Sequence, residues 1–109
     1  DGADLAEKIL PILDNFERAL AIKQEGTEKF LSGFKMIYDN LVSILNEKGI
    51  HEIDAMGKPF DPSIMNAVLT EQNEEVNDNM ILDVMQKGYM YHDKLIRPAM
   101  VKVNEREND

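Results

Sequence analysis

The sequence has no cysteine and no tryptophan. Without thiols there are no disulfides, no thiolate zinc sites and no cysteine nucleophiles, and the lean is towards a reducing, cytoplasmic compartment. Long apolar runs are missing too. Ile9-Leu10-Pro11-Ile12-Leu13 is about as long as they get, against the roughly 20 residues a membrane helix needs. No signal-peptide pattern opens the chain. Cations are scarce: 12 Lys and Arg stand against 21 Asp and Glu, a net charge of −9. That argues against a primary nucleic-acid binder, which must neutralise phosphates, and against docking on an anionic membrane. The first residue is Asp1 rather than Met, which leads us to expect a piece of a longer protein.

What is present is a globular composition, 43% hydrophobic and 30% charged, in 109 residues. That is one domain, or two very small ones. The character of the chain changes near Gly49. From about Asp4 to Lys23, Leu5, Ile9, Ile12, Phe16 and Ala19 recur at steps of four and three, and Leu10, Leu13 and Leu20 widen the stripe. This is an amphipathic helix with a face broad enough to demand burial against other helices. Asp14, Glu17, Arg18 and Lys23 are expected on its solvent side. Pro11 lies inside it, so a kink or a junction is expected there. Thr27 is the expected N-cap of a second helix that runs to about Lys48, with Gly49 as its stop. Phe30, Phe34, Ile37, Leu41 and Ile44 repeat the same steps. Two short helices cannot bury stripes this wide against each other. A second copy of the chain resolves this as a four-helix bundle across a dimer. Cover of one face by the rest of the chain is the alternative.

Beyond Gly49, prolines, turn dipeptides and short alternating runs predict a β-rich module. Ile50 to Ala55 reads as a strand, Gly57-Lys58-Pro59 and Phe60-Asp61-Pro62 as turns, and Met65 to Thr70 as extended. Met80 to Gln86 is ambiguous between helix and strand. Tyr89–Tyr91 and Lys94–Arg97 flank His92-Asp93 as a hairpin. Ala99, Val101 and Val103 alternate with Met100 and Lys102 in a half-buried closing strand, after Pro98 at an edge or break. Glu105 to Asp109 reads as a frayed tail.

Little here suggests an enzyme. His51 and His92 sit beside Glu52 and Asp93, but neighbours on a strand point to opposite faces. No serine elbow, glycine-rich phosphate loop or metal-ligand spacing occurs, so no cofactor and no metal are expected. The charge pattern says more. Glu71, Glu74, Glu75, Asp78 and Asp83 occur without a cation among them. From Met85 to Val103, Lys87, Lys94, Arg97 and Lys102 face Asp93 alone. With Met85, Met90 and Met100, this basic strip is either a docking face for an acidic partner or a set of core methionines with a solvated rim. Gly33 sits mid-helix, where glycine costs roughly 1 kcal/mol against alanine. Close packing within the bundle and close approach of a partner both account for it.

Taken together these residues resemble a family. Phe60-Asp61-Pro62-Ser63-Ile64-Met65-Asn66-Ala67-Val68 is followed by Gly88-Tyr89, then by Asp93, Ile96-Arg97, Ala99, Val101 and Val103. That pattern resembles the GrpE family, the nucleotide exchange factors of the heat-shock chaperone DnaK. Leu10-Pro11-Ile12-Leu13-Asp14-Asn15-Phe16-Glu17-Arg18-Ala19-Leu20 is similar to the family's helical segment, and Gln86-Lys87-Gly88-Tyr89 and Arg97 to Val103 to its C-terminal wording.

The resemblance implies an α+β fold. Residues 1–49 form half of a dimeric four-helix bundle, and residues 50–109 form a compact β domain that docks on the chaperone. It also implies a long paired helix upstream, nearly all of it missing from this sequence. The implied role is a non-enzymatic co-chaperone that binds the nucleotide-binding domain of DnaK and speeds ADP release. No direct contact with nucleotide, nucleic acid or membrane is implied. An adaptor of the same fold without exchange activity is the alternative. Met85, Arg97 and Val103 occupy family positions, and Met100 belongs to the same strip. Lys94 stands where arginine is frequent and keeps the charge without the forked geometry. Ile22 keeps an apolar contact, and a glycine is also expected at Gly33. The expected dimer interface comprises Leu5, Ile9, Ile12, Leu13, Phe16, Leu20, Phe30, Phe34, Ile37 and Leu41. Phe60 to Pro62 either shape a turn or touch the partner.

Overall fold

A computed structural model describes residues 2–21 and 28–106. Two helices, α1 (Gly2–Ala21) and α2 (Glu28–Glu47), precede six strands. These are β1 (Ile50–Glu52), β2 (Met65–Glu71), β3 (Ile81–Gln86), β4 (Tyr89–Tyr91), β5 (Lys94–Arg97) and β6 (Ala99–Asn104). The architecture is α+β. The chain divides after His51 into two compact units.

In the helical unit, α1 runs unbroken through Pro11, so the expected junction does not occur. A proline deprives the carbonyl four residues back of its donor. Here that carbonyl belongs to Glu7, which is exposed along with Pro11, so water can serve it. Each broad apolar face separates into two stripes. On α1 the inner stripe is Ala3, Ala6, Leu10 and Leu13, all at most 3% exposed. Phe16 and Phe34 meet with ring centroids 6.1 Å apart, and the Tyr38 hydroxyl donates to Glu17 at 2.7 Å. Glu17 is therefore half-buried rather than on the solvent side, and Asp14 is buried as well. Both lie at the margin of the inner stripe, one and four residues beyond Leu13. At the end of α2 the amide of Lys48 donates to Ile44 and Leu45, and that of Gly49 to Asn46. Gly49 takes φ of 87°, the left-handed cap its position predicts. The expected extension of α1 to Lys23 and the Thr27 cap lie outside the described residues.

The strands form two three-stranded sheets, ordered β1-β4-β5 and β2-β6-β3, and β2 to β6 lie in the second unit. The predicted strand over Ile50 to Ala55 stops at Glu52. Ile53 donates instead to the Gly88 carbonyl, and Ala55 accepts from Lys58 in a turn at Gly57, whose φ is 74°. Met80 to Gln86 resolves as strand. His92 adopts φ of 51° between β4 and β5, which suits a tight hairpin turn. β6 alternates as expected, but it is the central strand of its sheet. It pairs parallel to β2 and antiparallel to β3. Pro98 falls in the break before it.

Ile53, Ala55, Met65, Ile81, Ala99, Val101 and Val103 form the core of this unit, with Phe60, Ile64, Val84 and Met90 against it. Asn104, 1% exposed, closes the end of the sheet. Its side-chain amide donates to the carbonyls of Asn73, Val76 and Asn77 and accepts from the Asn73 amide at 2.8 Å. The acidic loop after β2 is thereby wrapped around one buried side chain. The chain just past β6 is also tied down. Glu105 donates to the Glu71 carbonyl and the Arg106 amide to Asp78, which corrects the expectation that fraying begins at Glu105.

Candidate functional site

The outer stripes of the helices stay uncovered within the chain. On α1 these are Leu5, 61% exposed, and Ile12, 51%, with Ile9 and Phe16 half-buried. On α2 they are Phe30, 70% exposed, Ile37, 55%, and Ile44, 45%, with Leu41 half-buried. Phe34 faces α1 and also meets Phe30, with centroids 5.0 Å apart. Leu20 lies in an open groove with Leu31, Ser32, Lys35 and Tyr38. Leu13 differs from the rest of the expected interface: it is fully buried inside the chain. Its place in the inner stripe commits it to the chain's own packing.

Gly33 lies on the exposed flank of the outer stripe of α2. A Cβ built there meets nothing within 4 Å. Packing within one chain therefore does not explain the glycine. Ile22 lies outside the described residues.

In the β unit the basic strip is split between the sheets. Met85 on β3 and Met100 on β6 belong to one sheet, Lys94 and Arg97 on β5 to the other. Met85 is half exposed, beside a register irregularity between Val84 and Gln86. Met100 is half-buried, its sulfur 3.8 Å from the Asn66 amide nitrogen. Lys94 is exposed. Arg97 is partly engaged within its own unit. Its Nε donates to the Lys87 carbonyl at 2.9 Å, and the guanidinium lies 5.4 Å from the Tyr89 ring centre. This contact ties the end of β3 to the hairpin.

Val103 is the clear correction. It is 7% exposed and sits in the core. The alternation that makes β6 legible as a strand also turns Val103 inward with Val101. Met100 and Lys102 face outward instead.

The register reveals a surface that sequence spacing alone did not. Asn66 pairs with Met100, and Leu69 and Asp83 with Lys102. Paired residues share a face, so Leu69, Met100, Lys102 and Asp83 lie together on the outer side. Leu69 is 47% exposed and Val68, at a bulge, 46%. Lys102 lies 3.8 Å from Glu71 and Lys87 3.6 Å from Glu52. The exposed run Val68-Leu69 was the available signal, but only pairing across 34 positions brings it beside Met100.

Phe60 is half-buried against the core, and Asp61 organises the following turn. Its carboxylate accepts from the Ser63 hydroxyl at 2.6 Å and the Ser63 amide at 2.9 Å. The hydroxyl first and the amide second hold its pKa below the ordinary value of 3.8. This supports the turn-shaping reading of the segment. Among the described residues, no three of His, Asp and Glu group closely enough to hold a metal, and no helix is long and apolar enough to cross a membrane.

Known proteins match along nearly all of the chain. The GrpE family model covers residues 1–105. A protein named GrpE from Carboxydothermus hydrogenoformans is 38% identical over 107 residues, covering 98% of this chain and 55% of that relative. Its namesake in Brevibacillus choshinensis is 45% identical over 103 residues, 93% of this chain and 58% of the relative. The Geobacillus kaustophilus protein is also 45% identical, with 48% of its length covered. The chain thus spans about half the length of the curated relatives it matches. A family match this extensive, over an α+β chain with the signature residues in order, establishes that the chain belongs to the GrpE family.

Proposed function

We propose that this chain is the dimeric core of a nucleotide exchange factor for a DnaK-type chaperone. Family membership over residues 1–105 is the observation that carries the reading. The helical unit forms a four-helix bundle with a second copy, and residues 50–109 form the docking domain. The uncovered stripe of Leu5, Ile12, Phe30 and Ile37 supports the dimer. An apolar seam of this kind, left in water, forfeits about 25 cal/mol per Å² that a second copy would recover. Gly33, open on the flank of the same stripe, supports close approach by another molecule.

The outer face around Met85, Met100, Lys102 and Leu69, with Lys94 and Arg97 on the hairpin, binds the nucleotide-binding domain of DnaK. Cations steer the encounter and methionines adapt to an irregular contact. The mechanism is binding, not covalent chemistry. The factor prefers the open nucleotide cleft to the closed one, and that difference in affinity drives ADP out. Linkage makes the effect reciprocal, so nucleotide weakens the factor by the same factor. Sharing a compartment with DnaK supports a cytoplasmic location.

Stopped-flow release of labelled ADP from DnaK tests the proposal. Acceleration by the chain supports it, and tight binding without acceleration identifies an adaptor instead. Charge reversal at Lys94 should lower affinity and on-rate, and wild-type affinity should fall with salt.

A further inference from the structure

The chain has no cysteine, so a two-electron oxidant meets sulfur only as thioether, at seven methionines. Their environments differ sharply. Met65 is 3% exposed in the core, and its sulfur accepts the Asp61 amide at 3.4 Å. Met80, Met90 and Met100 are half-buried. Met36, Met56 and Met85 are 72%, 52% and 50% exposed. Of these three, only Met85 lies on a strand, next to Gln86, which pairs with Met100.

We propose that Met85 is a reversible oxidation site through which a peroxide-class oxidant weakens the docking face, with Met100 on the adjacent strand as a slower second site. The step balances simply. The Met85 sulfur attacks one peroxide oxygen and the O–O bond breaks. One oxygen stays on sulfur as the sulfoxide, and the other leaves as water with both protons. The thioether is oxidised by two electrons and the peroxide reduced by two. A thiol-dependent methionine sulfoxide reductase reverses the change.

The geometry makes Met85 both reachable and consequential. The register irregularity between Val84 and Gln86 leaves it out of cross-strand pairing, so oxidation need not break the sheet. Yet a sulfoxide replaces a soft apolar contact by a strong dipole. A partner that buries this side chain must then desolvate the new oxygen. Exposed Met36 on α2 and Met56 in the turn after β1 act as internal controls, since neither lies on the β2-β6-β3 sheet that carries Met85 and Met100.

This inference rests on the exchange reading, and one experiment separates the two. The chain is treated with hydrogen peroxide, freed of oxidant and mapped by mass spectrometry, and its affinity for ADP-bound DnaK is measured. A Met36→Leu, Met56→Leu background, outside the docking face, removes the other fast sites. Met36, Met56 and Met85 should oxidise first and Met65 last. Affinity should fall about tenfold, the scale of an unpaired polar group in an apolar contact, and return after reductase treatment. In Met85→Leu the ratio of treated to untreated affinity should approach one, whatever that variant's starting affinity. Met85→Gln mimics the polar product without oxidant. If Met85→Gln binds DnaK normally, the docking face itself is misplaced. If Met85→Gln binds weakly but wild type carrying Met85 sulfoxide binds normally, or Met85 resists while Met36 and Met56 react, the oxidation site is refuted.

Discussion

The two units of this chain handle apolar surface in opposite ways. The β unit closes a core, Ile53, Ala55, Met65, Ile81, Ala99, Val101 and Val103 each being at most 7% exposed, and leaves only scattered apolar residues such as Val68, Leu69 and Met85 on its surface. The helical unit encloses only half, with Leu10 and Leu13 inside and Leu5, Ile12, Phe30 and Ile37 in the open. A unit that closes its core draws stability from its own chain. On the proposed dimer, a unit that leaves a seam open draws part of it from mass action with a second copy. The same substitution should therefore have different consequences in the two places.

Aspartate substitution gives the largest effect. Val101→Asp puts an unpaired carboxylate in a core that has no partner for it, at a cost of roughly 4 kcal/mol or more. That is a large share of a small domain's stability, and loss of dispersed β-sheet amide signals in NMR spectra should report unfolding of the β unit. Ile37→Asp should leave those signals intact and shift sedimentation equilibrium to a single-chain species. If Ile37→Asp remains dimeric, the outer stripe is not the interface, and the contrast between the units fails.

Asn104 sharpens the contrast within the β unit, because there the end of a sheet depends on one polar side chain. Asn104→Ala strips partners from the carbonyls of Val76 and Asn77 and from both backbone groups of Asn73. Each of these part-buried groups, left without its partner, costs at most about 1–3 kcal/mol. Thermal unfolding should drop by many degrees, and proteolysis should move to the loop at 72–79. A variant with wild-type melting would show that water replaces the amide there at no cost.

These examples mark what the sequence makes legible. Helix periodicity, the Gly49 cap, the Gly57 turn and the hairpin at His92 are local, and local chemistry predicts them. The alternation of β6 is local as well. Its central position is not, because that depends on parallel pairing with a strand 34 residues away. That nonlocal fact brings Leu69 beside Met100, while the local alternation alone turns Val103 inward with Val101. Asn104 escapes for a related reason. A polar residue at a strand end reads as solvated until the loop that wraps it is known. Asp14 fails likewise, since a carboxylate at the margin of an apolar stripe reads as exposed. The family signature, by contrast, is read directly from Phe60–Val68, Gly88-Tyr89 and Arg97.

Two glycines extend the contrast at smaller cost. A Cβ on Gly88 would collide with the Ala99 backbone nitrogen and lie 2.7 Å from the Pro98 carbonyl carbon. Gly88→Ala should cost ~1–3 kcal/mol by overpacking, or about 4–8 °C of melting temperature per kcal/mol in a domain this small. Gly33→Ala meets no atom of its own chain, so helix propensity should raise stability by up to roughly 1 kcal/mol. Gly33→Asp should keep the dimer folded and abolish exchange. A folded Gly33→Asp chain that releases ADP normally would remove Gly33 from the partner surface.

The smallest effect concerns the turn before β2, where the β unit relies on a local contact open to water. Asp61 is depressed below 3.8 chiefly by the Ser63 hydroxyl and secondarily by the Ser63 amide. A carboxylate with a lowered folded-state pKa contributes stability that is present above its unfolded value and lost as pH falls through the folded one. The loss therefore belongs to the acidic window below 3.8 and leaves neutral pH untouched. Ser63→Ala removes the larger cause and keeps the amide. The Asp61 carboxyl should then titrate closer to 3.8, though still below it, in an NMR-monitored pH series. Because the group is fully exposed, solvent screens the contact and the stability change should be slight. Wild type and variant should differ a little at neutral pH and converge in strong acid. A difference that widens on acidification would mean that the hydroxyl stabilises the turn through the protonated acid, and the assigned cause of the depression would be wrong.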